Sequence, residues 1–319
     1  MGTTADKLNH LIDIKEGIRQ EINRAYGGTE VSTSATFNSY IQKLEDQPFY
    51  LLKYIERTVQ NLKLSANTSI GDHAFDGCKD LTSVISNATS IGNRAFYFCN
   101  NLNTISFPNA TSIGEYAFYH AGLSNAYIPE AVSIGSNAFV ETALRELQSP
   151  NIVTIGSSAF GGCTSLTSMS LPKATSISAS AFYECSNLNS ISFPSATSIG
   201  ENAFKSCEKL TDVSFPKVTS IGNDAFRYCS GLTTASFPKL TSIANGNTGW
   251  IGKRGAFMDC SNLTTLYIGT ESSTVCTLGT GVFQNCSNLT NIYVPASLVD
   301  SYKSATNWSN YASKIKAAP

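Results

Sequence analysis

One phrase recurs along most of this chain, and its clearest copy is ATSIGENAFKSCEKLTDVSFP, from Ala196 to Pro216. The phenylalanine that closes the "AF" pair falls at Phe75, Phe96, Phe118, Phe139, Phe160, Phe182, Phe204, Phe226, Phe257 and Phe283. Successive steps are 21, 22, 21, 21, 22, 22, 22, 31 and 26 residues. A unit this small cannot enclose a core of its own, so its copies must stack on one another. Function is then to be sought where one copy departs from the rest.

Within a unit, Leu210, Val213 and Phe215 follow an LxxLxL spacing, in which a short extended run points apolar residues inward until Pro216 ends it. Ile199, Ala203 and Phe204 form a second apolar group on the far side of the coil, and Gly200 reads as the residue that allows the sharp bend between the two. Coils paired as a parallel sheet would lie about 4.8 Å apart. The phrase TSIG-x-x-AF-x-x-C-x-x-L-x-x-I-x-F-P resembles the leucine-rich repeats of the BspA-like type, found in bacterial surface proteins and in some phage-encoded ones, over residues 68 to 294. The resemblance implies a curved, right-handed solenoid used for binding rather than chemistry. The expected fold is therefore an α/β repeat, a leucine-rich-repeat solenoid of about ten 21–22-residue units with parallel β-strands. Its expected parts are a helical module at 1–48, a capping or degenerate first repeat at 49–69, the solenoid at 70–294 and a helical cap at 295–319.

Apolar residues make up 42% of the 319, charged residues 14%, and the formal net charge is −1, which gives no general attraction to nucleic acid or anionic lipid. No run approaches the ~20 apolar residues of a membrane span, and MGTTADKLNHL lacks the apolar run of a signal peptide, so either export takes another route or a signal was trimmed. Eight of the nine cysteines (Cys78, Cys99, Cys163, Cys185, Cys207, Cys229, Cys260, Cys286) stand three residues after a repeat phenylalanine. A small apolar thiol filling one slot per coil accounts for that ladder, with disulfides between rungs as the alternative. A metal site is not expected, since no CxxC pair exists and the histidines are His10, His73 and His120. Cys276, off the ladder, is expected to be the exposed thiol.

At the N-terminus, Thr3 to Asp6 has the form of a capping box, and Leu8, Leu11, Ile12, Ile18 and Ile22 recur at helical spacing before Gly27 and Gly28. Phe37, Tyr40, Ile41 and Leu44 fit a second helix, giving a helical hairpin. The run with ADKLNHL, IKEGIRQEI and YIQKL looks like the short N-terminal module of phage and prophage tail-associated proteins. It reads either as a cap on the first coil or as a docking or oligomerisation module. After Pro295 a helix start at Ser297 and a Trp308, Tyr311, Ile315 stripe suggest the terminal cap that an open solenoid end needs.

Three departures nominate ligand-binding residues. Tyr127, Arg145 and Glu146 replace the usual Ser, Thr and Asn on the solvent side of the strands of the third and fourth repeats. An insertion between Ile243 and Phe257 carries Trp250, Lys253 and Arg254, an aromatic anchor beside cations of the kind enriched in recognition hot spots. Tyr267 and Tyr293 occupy matching strand positions of successive coils. At the other edge, Tyr97, Phe98, Tyr119, His120, Tyr183 and Tyr228 follow the repeat phenylalanine and read as half-buried turn packing or as a ligand platform. No GxSxG, GxxxxGK[ST] or HExxH occurs, so neither an enzyme nor a bound cofactor is expected. The chain reads as a non-enzymatic adhesion protein recognising a protein or glycan on a host or neighbouring cell. The alternative is a tail-associated virion component whose solenoid is the receptor-binding tip.

Overall fold

The computed structural model describes residues 60–64, 69–244 and 255–319. The helical hairpin expected over 1–48 lies outside them, as do residues 49–59 and 65–68. Each coil contributes a longer strand from its LxxLxL run and a two-residue strand from its TSI run. The longer series is β1 (Asn61–Leu64), β2 (Ser83–Ser86), β4 (Thr104–Ser106), β6 (Asn125–Tyr127), β8 (Glu146–Gln148), β10 (Ser168–Ser170), β12 (Ser190–Ser192), β14 (Asp212–Ser214), β16 (Thr234–Phe237), β18 (Thr265–Ile268) and β20 (Asn291–Val294). The shorter series is β3 (Ser90–Ile91), β5 (Ser112–Ile113), β7 (Ser133–Ile134), β9 (Thr154–Ile155), β11 (Ser176–Ile177), β13 (Ser198–Ile199), β15 (Ser220–Ile221), β17 (Ser242–Ile243) and β19 (Thr277–Leu278). Within each series pairing is parallel, as Thr104↔Asn125 and Ser198↔Ser220 illustrate. The product is a parallel β-solenoid with little helix.

Its core is a column of stacked phenylalanines. Neighbouring rings from Phe75 to Phe283 have centroids 5.1 to 5.7 Å apart, the ring being repeated once per coil. Flat stacking at this distance follows from the coil spacing and leaves the polar turn to go around the ring. The turn does so with left-handed residues placed two before and two after the phenylalanine, such as Asn202 (φ 54°) and Ser206 (φ 63°) around Phe204. Ala203 N donates to Gly200 O (3.3 Å) and Cys207 N to Phe204 O (3.1 Å), each closing a four-residue turn with positive φ at its third residue. The intervening amides of Asn202, Phe204 and Ser206 donate instead to the next coil, at 2.9, 2.8 and 2.8 Å.

Two sequence expectations change here. Gly200 does not supply the bend, since the positive φ falls on Asn202 and Ser206. Gly200 allows close approach: an added Cβ would stand 2.6 Å from Ala179 N of the preceding coil. Cys276 is fully buried rather than exposed, because Tyr302 Oη receives its amide (2.9 Å) and its carbonyl accepts from Trp308 Nε1 (2.7 Å). All nine thiols are free and buried. The ladder thiols also do more than fill space, since each of Cys99, Cys163, Cys185, Cys207, Cys229, Cys260 and Cys286 donates Sγ–H to the phenylalanine carbonyl of the preceding coil at 2.9 to 3.2 Å.

The solenoid has one seam where both series lose pairing, between the coil of β8 and β9 and the coil of β10 and β11. Just before it, Ser149 occupies the buried position held by Ile128 and Leu171 in the flanking coils, and its hydroxyl donates to Ile128 O of the preceding coil at 2.8 Å, on the side where pairing is kept. In the shorter series a serine lies across the seam itself. Ser178 takes the slot of Gly200, and its hydroxyl donates to Ile155 O (2.5 Å), the carbonyl to which the residue 178 amide would otherwise donate, as Gly200 N does to Ile177 O. Bulk alone is not the cause, because Ala244 fills the same slot while its amide reaches Ile221 O at 2.9 Å. Ser178→Gly is expected to restore this backbone bond and slow amide exchange at residue 178 by roughly five- to tenfold, the worth of about 1 kcal/mol. Unchanged exchange there, measured by NMR or mass spectrometry, would refute this account.

The C-terminal end is capped, though not by the expected helical stripe. A 3-10 turn (Ala296–Leu298), one short helix α1 (Val299–Ser304) and a second 3-10 segment (Trp308–Lys314) lead into a strand, β21 (Ile315–Ala317), which extends the sheet by pairing with β20. Ile315 is therefore a strand residue. Tyr302 and Trp308 are buried against each other (centroids 5.2 Å), closing the last coil with polar atoms satisfied by Cys276.

Candidate ligand-binding surfaces

Along the longer strands, inward residues alternate with outward ones, so outward positions of successive coils form rows. One row runs Ser106, Tyr127, Gln148, then Ser170 and Ser192, then Ser214, Ser236, Tyr267 and Tyr293. Tyr127 is 44% exposed and registers with Gln148; Arg145 and Glu146, also exposed, lie just before it on the neighbouring coil. The structure thus brings Tyr127, Arg145 and Glu146 onto one patch. Tyr267 and Tyr293 stack with centroids 4.9 Å apart and 20° between planes, and Lys316 of β21 registers with Tyr293. Four serines separate the two tyrosine groups, so they form two ends of one face rather than one site. Trp250, Lys253 and Arg254 lie outside the described residues.

The hydroxyls on this face are of two kinds. Thr233, Thr264 and Thr290 donate to the threonine carbonyl of the preceding coil, at 3.2, 3.1 and 3.3 Å, and so are committed to the fold. Near the N-terminal end, Ser83 and Ser124 bond to asparagine side chains, each at 2.5 Å. The outward serines of β10, β12 and β14 point to solvent. Spacing alone could not separate committed from free hydroxyls, because both kinds occur in the same repeated Ser/Thr tract.

The turn edge carries a denser cluster. Tyr97 and Tyr119 stack at 5.1 Å, Phe98 lies flat on His120 (4.9 Å, 3°), and Tyr116 meets Tyr119 at 5.4 Å. The Arg94 guanidinium lies over the rings of Tyr97 and Tyr116, at 5.1 and 5.3 Å. His120 Nδ1 is 3.3 Å from Glu141. Desolvation against these rings, with the neighbouring Tyr97 hydroxyl and Glu141 carboxylate, raises the Tyr119 pKa. Tyr183 and Tyr228 sit on other coils and pair instead with Lys205 (5.5 Å to the ring) and Arg227 (4.6 Å). Arg94 and Tyr116 escape a sequence reading that watches only the two positions after the phenylalanine. The signal was present, as large residues two places before it, where other coils have Asn137, Ser158 or Ser180.

Further along the same edge, Arg227 lies between Asp224 (3.6 Å) and Asp259 (3.8 Å) and donates to Tyr228 Oη (2.8 Å), a tie between adjacent coils. Among the described residues no group of three or more His, Cys, Asp or Glu side chains is placed to hold a metal ion, and no helix is long and apolar enough to cross a membrane.

The family model described as BspA type leucine rich repeat region (6 copies) matches residues 20–140, 132–248 and 242–316. Among solved structures the chain is similar to a leucine-rich repeat protein from Bacteroides ovatus (23% identity, 75% of this chain and 78% of that one, TM-score 0.49). It is also similar to a leucine rich cell surface protein from Faecalibacterium prausnitzii (21%, 82% and 83%, 0.40) and a leucine-rich repeat protein from Eubacterium ventriosum (20%, 79% and 76%, 0.36). Comparison with curated proteins finds no match.

Proposed function

Because this chain belongs to the BspA-type leucine-rich-repeat family, we propose that it is a non-enzymatic binding protein of a cell surface that recognises a protein or glycan through the outward face of its longer strands. The observation that carries the reading is the composition of that face. Tyrosines stand at both ends of a row whose middle is Ser170, Ser192, Ser214 and Ser236, with little charge to desolvate on contact. Aromatic side chains bring large contact area at low entropic cost, and serine hydroxyls bring adaptable hydrogen bonding, a pairing that suits a recognition surface.

The test is binding of the whole chain to a glycan array and to immobilised epithelial-cell surface proteins, with Tyr267→Ser/Tyr293→Ser and Tyr127→Ser/Arg145→Ala beside wild type, and Trp250→Ala as a third arm. Either strand-face variant is expected to lose tenfold or more in affinity with an unchanged melting temperature. Full binding by both, with loss in the Trp250 variant, would move the site to the insertion. Full binding by all three would remove the strand face from the function.

A further inference from the structure

A second surface stands apart from the strand face, on the turn edge of two adjacent coils. There Arg94, Tyr97 and Phe98 face Tyr116, Tyr119 and His120, in slots that other coils fill with Ser158, Gly161 and Gly162 or with Asn202, Lys205 and Ser206. Four of the six are in the left-handed region: Arg94 (φ 54°), Phe98 (54°), Tyr116 (55°) and His120 (53°). Glycine or asparagine takes this conformation with little strain, whereas a large side chain costs roughly 1 kcal/mol. Left-handed residues stand at these slots along the solenoid, most of them small or polar, as at Gly77, Asn137, Ser158, Gly162, Ser180 and Ser206; what sets this pair of coils apart is that large side chains fill all four slots.

Ring packing offsets part of that cost but does not bury the cluster. Phe98 remains 37% exposed with its ring flat against His120. Arg94 is exposed, and its planar face is held by two tyrosine rings, yet no carboxylate among the described residues pairs with it. Its N–H fork is thus oriented and available, the arrangement in which guanidinium binds a carboxylate through two parallel hydrogen bonds. The main chain is already committed, since the amides of Arg94, Phe96 and Phe98 donate to Glu115, Ala117 and Tyr119 carbonyls at 2.8, 2.7 and 2.9 Å. A peptide seeking backbone partners finds none here, so recognition has to run through side chains.

We propose that this cluster is a binding site for a carboxylate-bearing glycan. Arg94 takes the sugar carboxylate, the exposed face of Phe98 takes an apolar sugar face, and Tyr97 and Tyr116, whose rings hold the guanidinium, supply hydroxyls for the sugar's own. The site is independent of the strand face, and its failure would leave that reading intact.

Titration calorimetry of the full chain with uronate- and sialic-acid-bearing oligosaccharides, beside their methyl esters, tests it. The free acids are expected to bind at least tenfold more tightly than the esters, and Arg94→Gln should lose at least tenfold in affinity. Phe98→Gly should lose binding with a melting temperature equal to or above wild type, because glycine relieves the left-handed strain. If that variant melts lower, Arg94→Gln at its exposed position decides the matter. Equal binding of acid and ester, wild-type affinity in Arg94→Gln, competition by poly-glutamate as strong as by the sugars, or no binding at millimolar concentration would each overturn the proposal.

Discussion

Raising the pH from 8 to 10 is expected to lower the folding stability by several kcal/mol, more than most single substitutions would. Burial raises the thiol pKa to about 11 at Cys163 and about 12 at Cys229, Cys276 and Cys286, with Cys99, Cys185, Cys207 and Cys260 also shifted upward. The unfolded chain releases these protons near the ordinary value of 9.0, while the folded chain keeps them, so the unfolded state binds fewer protons and stability falls as pH rises. The contribution is whole below pH 9 and is lost between there and the folded values. At pH 10 each thiol costs roughly 1 kcal/mol, and the eight together on the order of 8 kcal/mol. Tyr302, shifted up to about 12 by burial, departs from its ordinary value of 10.0 and so adds its share only above this window.

Urea titrations at pH 7.5, 9 and 10 in a phosphine reductant measure the effect. The control replaces Cys185, Cys207 and Cys229 with Thr, the residue that occupies this slot at Thr142, where the hydroxyl reaches Phe139 O at 3.0 Å. That variant should lose about 3 kcal/mol less between pH 7.5 and 10 than the wild type. Equal pH dependence in the two would show that the ladder thiols do not carry it. The same geometry predicts that Cys207→Ser keeps its bond to Phe182 O and costs less than Cys207→Ala, which removes the donor.

Phe204→Ala is expected to cost about 3 to 5 kcal/mol in the same assay at pH 7.5. Phe204 is fully buried and stacks on Phe182 and Phe226 at 5.3 Å on each side, so truncation opens a gap in the middle of the column that rigid neighbouring coils cannot close. Phe204→Leu, which keeps most of the volume, should cost about 1.5 kcal/mol or less. Because Phe226 borders the same gap, Phe204→Ala/Phe226→Ala should deviate from the sum of the single losses. A loss under about 1 kcal/mol for Phe204→Ala would mean that the column collapses around the missing ring and is not the main support of the coil.

The repeat phrase determined the class of fold, the inward positions and the place of the thiols, because a side chain repeated every 21 or 22 residues can sit only in one stack. It also picked out Tyr127, Arg145, Glu146, Tyr267 and Tyr293 as departures from that phrase. Which of these meet was decided by inter-coil register, a property of pairs of repeats that no single repeat encodes. The role of Gly200 was misread for the same reason: its freedom is needed for a neighbour's backbone, not for its own φ. Cys276 looked exposed because it left the ladder, yet the cap residues Tyr302 and Trp308, 26 and 32 positions later, fold back over it. The gathering of Arg94, Tyr97, Phe98, Tyr116, Tyr119 and His120 likewise arises because coil stacking brings residues about 22 apart in sequence to ring-contact distance, as with Phe98 and His120 at 4.9 Å. Sequence fixes what each coil contains, and stacking alone decides which contents touch.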